Sequence, residues 1–532
     1  MTNLADNLVR TLRGIGLVLP LAAAIHGHGA HAADPAPSWV GTWGVATQRL
    51  DNPGFNNQTI RQILHTSIGG TAARVHLSNL YSTQPLVIGA AHIALRANGS
   101  TIASGTDRAL TFNGVNTVTV PPGQEVISDA VSMTIPALAD VAISVYLPGA
   151  SVPDTAGHSF ALQDYYVSTG NVSGSLSMPN VKTNPVAGQT YFFVSGLDVQ
   201  NASATGAIAT FGASITDGLA SAANTNTRWP NDLAVRLAQA GKTIGVVNTG
   251  ITGNQLLADG SGNAGVSRFQ RDVVQRPGVK WVIISDDPIN DLTSHTPPPS
   301  TAQLTGGLQQ IVREAHDGGL KVLCSTLTPY EKYSAWTAAQ ETIRQQVNSF
   351  IRGATSGCDA IVDQDAAVHD PANPTRLRAD FDSGDHLHPN TAGLQAIANA
   401  IDLTQFNGNT LPPVKAPTQC GQFAPGMGLT RGQTLVSCDG RFTLNMQMDG
   451  NLVLYDGPST PIWSTGTVTA NAVQVLLQSD GNLVAFDPSG RTVWQSNTSG
   501  QPGSYLYVQN DGNMVIYNVA GTPVWYTGTC CR

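Results

Sequence analysis

The sequence has little charge, and the charge that it has is not clustered. Asp, Glu, Lys and Arg make up 12% of the 532 residues, and the net charge is −8. A typical soluble domain has roughly 25% charged residues. Because a phosphate-binding surface needs a cluster of Lys and Arg, we expect no nucleic-acid partner. No long stretch is both charged and poor in apolar residues, which excludes extensive disorder.

The six cysteines lack the C-x-x-C spacing of a zinc site. They form two groups along the chain: Cys324 and Cys358, then Cys420, Cys438, Cys530 and Cys531. We expect disulfides within each group, although six cysteines allow 15 pairings. In the second group, we expect one of the two adjacent cysteines at 530 and 531 to pair with Cys420 or Cys438.

Long apolar runs are absent except near the N-terminus. Arg10 and Arg13 precede a short apolar run at 14–24, and residues 30–32 (AHA) form a small-x-small cleavage site. This pattern predicts a signal peptide over 1–32. The run is too short to cross a bilayer. We therefore expect a secreted protein without an integral membrane segment, located outside the cell or in the periplasm.

Three composition patterns follow one another along the chain. Residues 33–203 contain short runs rich in Val, Ile and Thr between Gly, Pro and Asn turns, which predicts an all-β domain. Over 204–410, buried strands alternate with amphipathic helices, which predicts a three-layer α/β domain with a parallel sheet. A proline-rich linker is predicted at 411–417, and a repetitive β domain at 418–532.

Four blocks in the α/β region carry residues suited to hydrolysis. They are residues 211–218 (FGASITDG), 248–254 (NTGITGN), 289–292 (INDL) and 385–389 (DHLHP). The first three follow predicted strands, where open α/β sheets place their ligands. In the fourth block, the i,i+3 spacing within a helical turn is expected to set Asp385 beside His388. A carboxylate beside an imidazole lets that imidazole act as a base. Asn390 is a plausible cap for the helix that follows.

In this order the four blocks resemble the SGNH hydrolases, also called the GDSL esterase/lipase family. The resemblance covers about residues 37–405 and includes upstream segments similar to exported bacterial members with an N-terminal β domain. It implies that Ser214 is the nucleophile, His388 the general base and Asp385 its orienting carboxylate. It also implies an oxyanion hole formed by the N–H groups of Ser214 and Gly253 and the side chain of Asn290. The implied mechanism needs no metal or other cofactor.

Two residues depart from the family pattern. Ala213 stands where the family has the Asp that supports the nucleophile loop, and Pro288 stands two residues before Asn290 in place of Gly. Because Pro fixes φ and lacks an N–H, we expect a different loop there and a displaced Asn290. The preceding Asp286 and Asp287 are expected to be solvated loop charges. Alternatively, they could act as acid and base on a glycosidic bond.

The C-terminal region repeats a nine-residue motif three times at intervals of 31 residues: 447–455 (QMDGNLVLY), 478–486 (QSDGNLVAF) and 509–517 (QNDGNMVIY). Trp463, Trp494 and Trp525 keep the same spacing, and we expect them to pack a central core. In each motif the Gln, Asp, Asn, Val and Tyr or Phe residues alternate with other residues. This period of two predicts that all five point to one face of a strand.

These motifs resemble the bulb-type mannose-binding lectins, whose three repeats form a β-prism without a metal. The resemblance implies three sets of sugar-binding residues: Gln447, Asp449, Asn451, Val453 and Tyr455; Gln478, Asp480, Asn482 and Val484; and Gln509, Asp511, Asn513, Val515 and Tyr517. Because Phe486 replaces Tyr, the middle set lacks one hydroxyl, and we expect it to bind more weakly. The alternative is that the polar residues only build the fold.

Together these patterns predict a secreted serine esterase that binds mannose-containing or related polysaccharide. Its substrates are expected to be carboxylic esters, including acetyl esters on polysaccharide. Two other functions stay open at this point. One is a carbohydrate-binding protein with a degenerate hydrolase domain, supported by Ala213 and Pro288. The other is a hydrolase that cleaves glycosidic bonds through Asp286 and Asp287.

Overall fold

The computed structural model describes residues 39–51, 54–149, 154–184, 189–407, 411–412, 414–487, 490 and 492–531. The predicted signal peptide at 1–32 lies outside the described residues, as do the first residues of the predicted β domain. Within the described residues, no helix is both long and apolar enough to cross a membrane.

The N-terminal part is built from antiparallel strands. These are β1 (Trp39–Gly44), β2 (Gln48–Asp51), β3 (Gln58–His65), β4 (Gly70–Ser78), β5 (Leu86–Ile88), β6 (Ala90–Asn98), β7 (Thr101–Ile102), β8 (Arg108–Ala109), β9 (Val118–Val120), β10 (Glu125–Ile127), β11 (Val131–Ile135), β12 (Asp140–Leu147), β13 (Asp154–Ser159), β14 (Tyr165–Thr169), β15 (Lys182–Asn184), β16 (Thr190–Phe192) and β17 (Val194–Gln200). The two largest sheets have the orders β1-β17-β4-β10 and β15-β14-β3-β12-β6-β7. The prediction of an all-β N-terminal region is confirmed.

The central part contains a parallel sheet and, within the described residues, the α-helices. Its strands are β18 (Gly206–Phe211), β19 (Ile244–Asn248), β20 (Val279–Ile284), β21 (Lys321–Ser325) and β22 (Ala360–Val362), with a small hairpin of β23 (His369–Asp370) and β24 (Asn373–Leu377). The helices are α1 (Ser214–Asp217), α2 (Trp229–Gln239), α3 (Gly265–Phe269), α4 (Asp287–Ser294), α5 (Thr301–Asp317), α6 (Ala338–Arg352), α7 (Gln364–Val368) and α8 (Thr391–Asn399). The five-stranded sheet has the order β19-β18-β20-β21-β22, and every neighbouring pair is parallel. The predicted α/β domain is confirmed.

The two parts pack closely where β1 crosses the edge strand β19. A Cβ on Gly245 would collide with the carbonyl oxygen of Gly41, so the approach depends on glycine at this position. The Ser67 hydroxyl accepts a hydrogen bond from the Val246 N–H at 2.8 Å. The N-terminal sheet is thereby fixed beside the strand that leads into the second sequence block.

The C-terminal part consists of three four-stranded antiparallel sheets. The strands are β25 (Gln422–Phe423), β26 (Gly428–Thr430), β27 (Thr434–Val436), β28 (Phe442–Met446), β29 (Leu452–Asp456), β30 (Thr460–Ser464), β31 (Gln474–Leu477), β32 (Leu483–Phe486), β33 (Thr492–Gln495), β34 (Tyr505–Val508), β35 (Met514–Tyr517) and β36 (Pro523–Tyr526). Each sheet consists of the three strands of one repeat and one further strand, which is β25, β26 or β27. Trp463, Trp494 and Trp525 meet edge to face, with ring centroids 5.7–5.9 Å apart. The predicted β-prism is confirmed, and the tryptophans pack against one another as expected.

Two disulfides join Cys324 to Cys358 and Cys420 to Cys438. The expected bond from Cys530 or Cys531 to one of the upstream cysteines is wrong, because both are free and exposed, with their Sγ atoms 3.0 Å apart. The Gly421 N–H donates to the Val436 carbonyl at 2.7 Å, which brings the Cα atoms of Cys420 and Cys438 to 5.0 Å. The spacing of the cysteines along the chain gave no sign of this contact.

Candidate active site

Ser214 lies where β18 ends and α1 begins. Gly212 makes the turn between them, and a Cβ there would collide with Thr216 Oγ1 and Asp286 Oδ1. Helix α1 lasts a single turn and ends at Gly218, whose φ of 98° is in the left-handed region. The serine is therefore held at the carboxyl edge of the sheet, where open α/β folds bind their ligands.

A continuous chain of hydrogen bonds runs from Asp385 through His388 to Ser214. His388 Nδ1 donates to Asp385 Oδ2 at 2.6 Å, and His388 Nε2 accepts from the Ser214 hydroxyl at 2.8 Å. Burial by itself would raise the pKa of Asp385, but hydrogen bonds from the side chain and backbone of His388 and from the Leu387 N–H lower that pKa to about 2. Asp385 is therefore a carboxylate at neutral pH and fixes the imidazole with its free nitrogen toward Ser214.

The segment that carries Asp385 and His388 is a loop of bends, so the prediction of a helical turn is wrong. Asp385 Oδ1 accepts hydrogen bonds from the N–H groups of Leu387 and His388, both at 2.9 Å, which curls the loop back on its carboxylate. His386 lies between them with a φ of 65°. The contact expected from the i,i+3 spacing is present, but an Asp side chain accepting from nearby backbone produces it.

The helix after this loop begins as predicted. Asn390 is the N-cap of α8, and its side chain accepts hydrogen bonds from the N–H groups of Ala392 and Gly393. Its Nδ2 also donates to the carbonyls of Asp380 and Asp382, at 3.0 and 3.2 Å. The cap therefore closes the loop that presents His388.

The three predicted oxyanion donors lie in three separate segments of the site. Within the described residues, the N–H groups of Ser214 and Gly253 have no protein acceptor. Asn290 Nδ2 donates to the carbonyl of Asn254, the residue after Gly253, at 2.8 Å. A primary amide has two N–H donors, so one remains available. The structure therefore ties Asn290 to the second block, beside one of the other donors.

The sequence predicts a loop at Pro288 that differs from the family pattern. Pro288 occupies the first turn of α4, where the missing N–H of proline costs no helical hydrogen bond. Asn290 follows in the same helix, and its side chain is anchored on Asn254. The substitution of Gly by Pro is accommodated by starting a helix at this point.

The expectation that Asp286 and Asp287 are solvated is wrong. Their exposed fractions are only 3% and 2%. Asp286 accepts hydrogen bonds from the N–H groups of Ile215 and Thr216, at 2.8 and 3.2 Å, and from the Thr216 hydroxyl at 2.5 Å. This carboxylate supports the nucleophile loop from the neighbouring strand, whereas the family pattern would place a supporting Asp at 213.

Asp287 lies deeper, between the second block and a buried arginine. It accepts from Asn254 Nδ2 at 3.2 Å and lies 3.6 Å from Arg268 Nη2. Burial raises the pKa of Asp287 to about 7, although the charge of Arg268 opposes the shift. Neither carboxylate has the exposure that a glycosidic substrate would need, so this geometry does not favour the glycosidase alternative.

Sequence reasoning missed a buried arginine that joins the first two blocks. Arg268 donates to the carbonyls of Gly212 and Thr249, at 3.0 and 2.7 Å, and its guanidinium carbon lies 4.0 Å from the centre of the Phe211 ring. A single Arg in a short helix gives no signal of this role in the sequence.

Asp217, in the last turn of α1, joins the same loops from the other side. It accepts hydrogen bonds from the N–H and the hydroxyl of Thr252, at 3.0 and 2.7 Å. His158 Nε2, from the N-terminal sheet, lies 3.0 Å from the other oxygen of Asp217. The N-terminal part therefore supports the helix that begins at Ser214.

The repeated C-terminal motifs begin in a turn, so the expectation that all five residues share one strand face is wrong. In the first repeat, the Gln447 N–H donates to the Asn451 carbonyl at 2.8 Å, and Gly450 has a φ of 88° between β28 and β29. Only Val453 and Tyr455 lie on the strand. The Asp-Gly pair is a hairpin-turn signal that the period-two interpretation overlooked.

The asparagine of each motif carries a structural hydrogen bond in addition to any binding role. The side-chain oxygens of Asn451, Asn482 and Asn513 accept from a hydroxyl 14 residues later, at 3.0–3.1 Å. In the first and third repeats, the Gln side chain donates to the Tyr hydroxyl at 2.7 Å: Gln447 to Tyr455 and Gln509 to Tyr517. Those residues form two matching polar clusters. The middle repeat has Phe486 in the position of the tyrosine.

Comparison with known proteins gives a family match for the central part. Residues 210–396 match the sequence model of the GDSL-like lipase/acylhydrolase family. A solved lipolytic protein of the G-D-S-L family from Desulfitobacterium hafniense is 19% identical, with 36% of this chain and 96% of that chain covered and a TM-score of 0.29. A search of the curated proteins found no match.

Solved mannose-binding lectins are similar to about a fifth of the chain. The mannose-specific agglutinin from snowdrop (Galanthus nivalis), solved with methyl α-D-mannoside, is 42% identical, with 20% of this chain and 96% of that chain covered and a TM-score of 0.18. A monomeric mannose-binding lectin from Gastrodia elata is 37% identical, with coverages of 21% and 98% and a TM-score of 0.19. Residues 210–396 of this chain therefore match the GDSL-like lipase/acylhydrolase family, and about a fifth of the chain is similar to solved mannose-binding lectins.

Proposed function

We propose that this protein is a carboxylic ester hydrolase with Ser214 as nucleophile, His388 as general base and Asp385 as the group that orients His388. The observation that carries the proposal is the chain of hydrogen bonds from Asp385 through His388 to the Ser214 hydroxyl. In this mechanism Ser214 attacks the ester carbonyl while His388 takes its proton. His388 then protonates the leaving alcohol, and water attacks the acyl-enzyme to release the acid.

The proposed oxyanion hole consists of the N–H groups of Ser214 and Gly253 and the remaining N–H of Asn290. Loss of one such donor typically costs 10²–10³ in kcat, about 3–4 kcal/mol. Three interactions support this arrangement by fixing its segments. Asp286 accepts from the backbone of the helix that begins at Ser214, and the Asn254 carbonyl accepts from the Asn290 side chain. Arg268 donates to one carbonyl in each of the first two sequence blocks. Preorganisation of this kind makes the donors effective, because they need not reorient during the reaction.

The proposed substrate is an ester on a glycan, with acetyl groups on a mannose-containing or related polysaccharide as the first class to test. The C-terminal repeats support this choice, since in two of them the Gln side chain is bonded to the Tyr hydroxyl and the Asp of the motif is exposed. Binding of the polysaccharide by the repeats would raise the local concentration of ester near Ser214. The two disulfides are compatible with the proposed export of the protein to an oxidising compartment.

The experiment is hydrolysis of p-nitrophenyl acetate and of acetylated mannan by the purified full chain, its Ser214→Ala variant and a Ser349→Ala control. Ser349 is an exposed serine of α6, so its loss tests only the effect of the substitution itself. We expect turnover by the wild type and the control, with a loss of at least about 10³-fold in Ser214→Ala. Equal inactivity of all three proteins would favour a carbohydrate-binding protein with a degenerate hydrolase domain. Equal activity of all three would place the chemistry elsewhere.

A further inference from the structure

The segment that leads into the lectin-like region lies on its middle repeat. Leu411 and Val414, from the predicted linker, are buried in one apolar cluster with four residues of that repeat: Val473, Leu476, Val484 and Phe486. The exposed fractions of Leu411 and Val414 are only 3% and 4%. The predicted linker is therefore packed against the repeat over these positions.

Hydrogen bonds hold the same segment in place. Gln474, which is fully buried, donates from its side chain to the Pro412 carbonyl at 2.8 Å. The Lys415 N–H donates to the Gly426 carbonyl at 2.9 Å, and the Gly428 N–H donates to the Lys415 carbonyl at 3.0 Å. Pro412 is thus bonded to the middle repeat itself, and Lys415 is bonded at the start of β26, the fourth strand of the same sheet.

Equivalent positions of the three repeats, which are 31 residues apart, differ at this face. Position 476 is Leu in the middle repeat, whereas the equivalent residues are Asn445 in the first and Tyr507 in the third. Phe486 likewise stands where the other repeats have tyrosine. Both replacements are apolar, and both side chains contact the segment cluster. The middle repeat therefore has apolar side chains at two positions covered by the segment, where the other two repeats have polar side chains.

The other two faces keep their polar groups and lie open. A cavity of about 380 Å³ beside Tyr455 is lined by Thr443, Asn445 and Ser459 in the first repeat. In the third repeat, Tyr505 stacks on Tyr517 with ring centroids 5.6 Å apart, and both rings are partly exposed. In the middle repeat, by contrast, the Asn482 amide nitrogen is already bonded to the Gln495 side chain at 2.9 Å.

We propose that the sheet of the middle repeat is a docking site for Leu411, Pro412, Val414 and Lys415, and that glycans bind only at the first and third repeats. The assignment of two glycan sites rests on the glycan binding proposed above, whereas the docking of the segment does not depend on it. The Gln433 side chain also donates to Asp317 of α5 at 3.1 Å, which ties the lectin-like region directly to the hydrolase domain. The two remaining glycan sites would then be held in a defined position relative to Ser214.

Hydrogen exchange on the full chain tests the docking. We expect the Lys415 and Gly428 amides to be protected in the wild type and to exchange at least about tenfold faster in Leu411→Ser/Val414→Ser. The matched control is Val468→Ser/Val519→Ser, which changes two exposed valines of the same region and should leave both amides protected. Unchanged protection in Leu411→Ser/Val414→Ser, or fast exchange in the wild type, would overturn the docking.

Equilibrium dialysis with methyl α-mannoside tests the number of glycan sites. We expect two per chain, one lost in Asp449→Ala, one lost in Asp511→Ala and none lost in Asp480→Ala. Three sites in the wild type, or a site lost in Asp480→Ala, would overturn the assignment. No binding by the wild type would refute the proposed glycan function and the two-site assignment, and the exchange experiment would still decide the docking.

Discussion

Asp286 accepts a hydrogen bond from the Ile215 N–H at 2.8 Å, one residue beyond Ser214. The two residues are 71 positions apart in the chain and meet because β18 and β20 are parallel neighbours whose carboxyl ends share one edge of the sheet. The carboxylate that supports the proposed nucleophile thus lies just before the third sequence block, at the N-cap of α4. Because residue 213 is Ala, the first block has no supporting Asp of its own. Asp286, which follows the neighbouring strand β20, accepts the hydrogen bond instead.

Replacing Asp286 by alanine should damage both stability and turnover. The change leaves the N–H groups of Ile215 and Thr216 without their acceptor in a buried site. We expect a loss of about 2–4 kcal/mol in the free energy of unfolding and of roughly 10–100-fold in kcat as Ser214 shifts. Denaturant unfolding and ester kinetics on Asp286→Ala measure both. A variant that unfolds at lower denaturant but keeps the wild-type kcat would limit Asp286 to a structural role.

The buried Asp287 should make stability depend on pH. Its pKa is raised to about 7 in the folded chain, against about 4 for an unperturbed Asp. Between these values the folded chain binds more protons than the unfolded chain, so the contribution of Asp287 to the free energy of unfolding falls as pH rises.

Asp287→Asn removes this dependence. We expect the Tm of the variant, relative to that of the wild type, to be higher at pH 8 than at pH 5. Thermal unfolding at the two pH values measures the difference. Asp380→Asn, a change at an exposed carboxylate with a lowered pKa, is the control. A Tm difference between Asp287→Asn and wild type that is the same at both pH values would show that Asp287 does not titrate in this range.

Gly253→Ala should impair turnover through the backbone. Gly253 has a φ of 78°, and a Cβ there would collide with the Ser261 hydroxyl. Strain of about 1–3 kcal/mol and a shifted N–H are expected, with a loss of roughly 10–100-fold in kcat. Gly306→Ala is the matched control, because it lies in α5 with open space around it and should stabilise the helix slightly. Wild-type kcat in Gly253→Ala would argue against its N–H as an oxyanion donor.

Asp385→Asn should lower kcat by about 10⁴-fold with little change in KM, because the amide can hold His388 in the wrong tautomer. The pKa of Asp385 is lowered to about 2, so its contribution to stability is present above about pH 4 and is lost as pH falls toward 2. Ester kinetics from pH 5 to 9 should therefore show no loss of wild-type activity caused by protonation of this carboxylate. A variant with unchanged kcat would remove Asp385 from the proposed triad.

The cysteines give a prediction that separates the observed pairing from the one expected from the sequence. With two disulfides and with Cys530 and Cys531 free, a thiol reagent should titrate two thiols in the native chain and six after reduction and denaturation. The pairing expected from the sequence would bond Cys530 or Cys531 to Cys420 or Cys438. Tryptic mapping under non-reducing conditions would find that bond if it exists.

The three-part fold and the contact of Asp385 with His388 could be predicted because they depend on local patterns. Strand and helix periodicity, a 31-residue repeat and an i,i+3 spacing are all visible in the chain itself. The burial of Asp286 could not be predicted in this way, since its partners, Ile215 and Thr216, lie about 70 residues earlier in α1. The contacts of Arg268 and His158 depend on packing between elements in the same manner.

The errors in the C-terminal part have a different cause. The period-two pattern from Gln447 to Tyr455 also contains Asp-Gly, and the turn formed by Gly450 dominates the first half of the motif. The replacement of tyrosine by Phe486 was visible in the sequence. The packing of Phe486 with Leu411 and Val414 could be seen only in the three-dimensional structure.

The most direct test of the central claim is covalent labelling of the full chain with an activated fluorophosphonate, followed by peptide mass spectrometry. A serine reacts with such a reagent when a neighbouring base takes its proton. The account predicts stoichiometric labelling of Ser214 in the wild type, and labelling reduced by at least about 10³-fold in His388→Ala. Labelling of another serine, or equal labelling of Ser214 in His388→Ala, would contradict it.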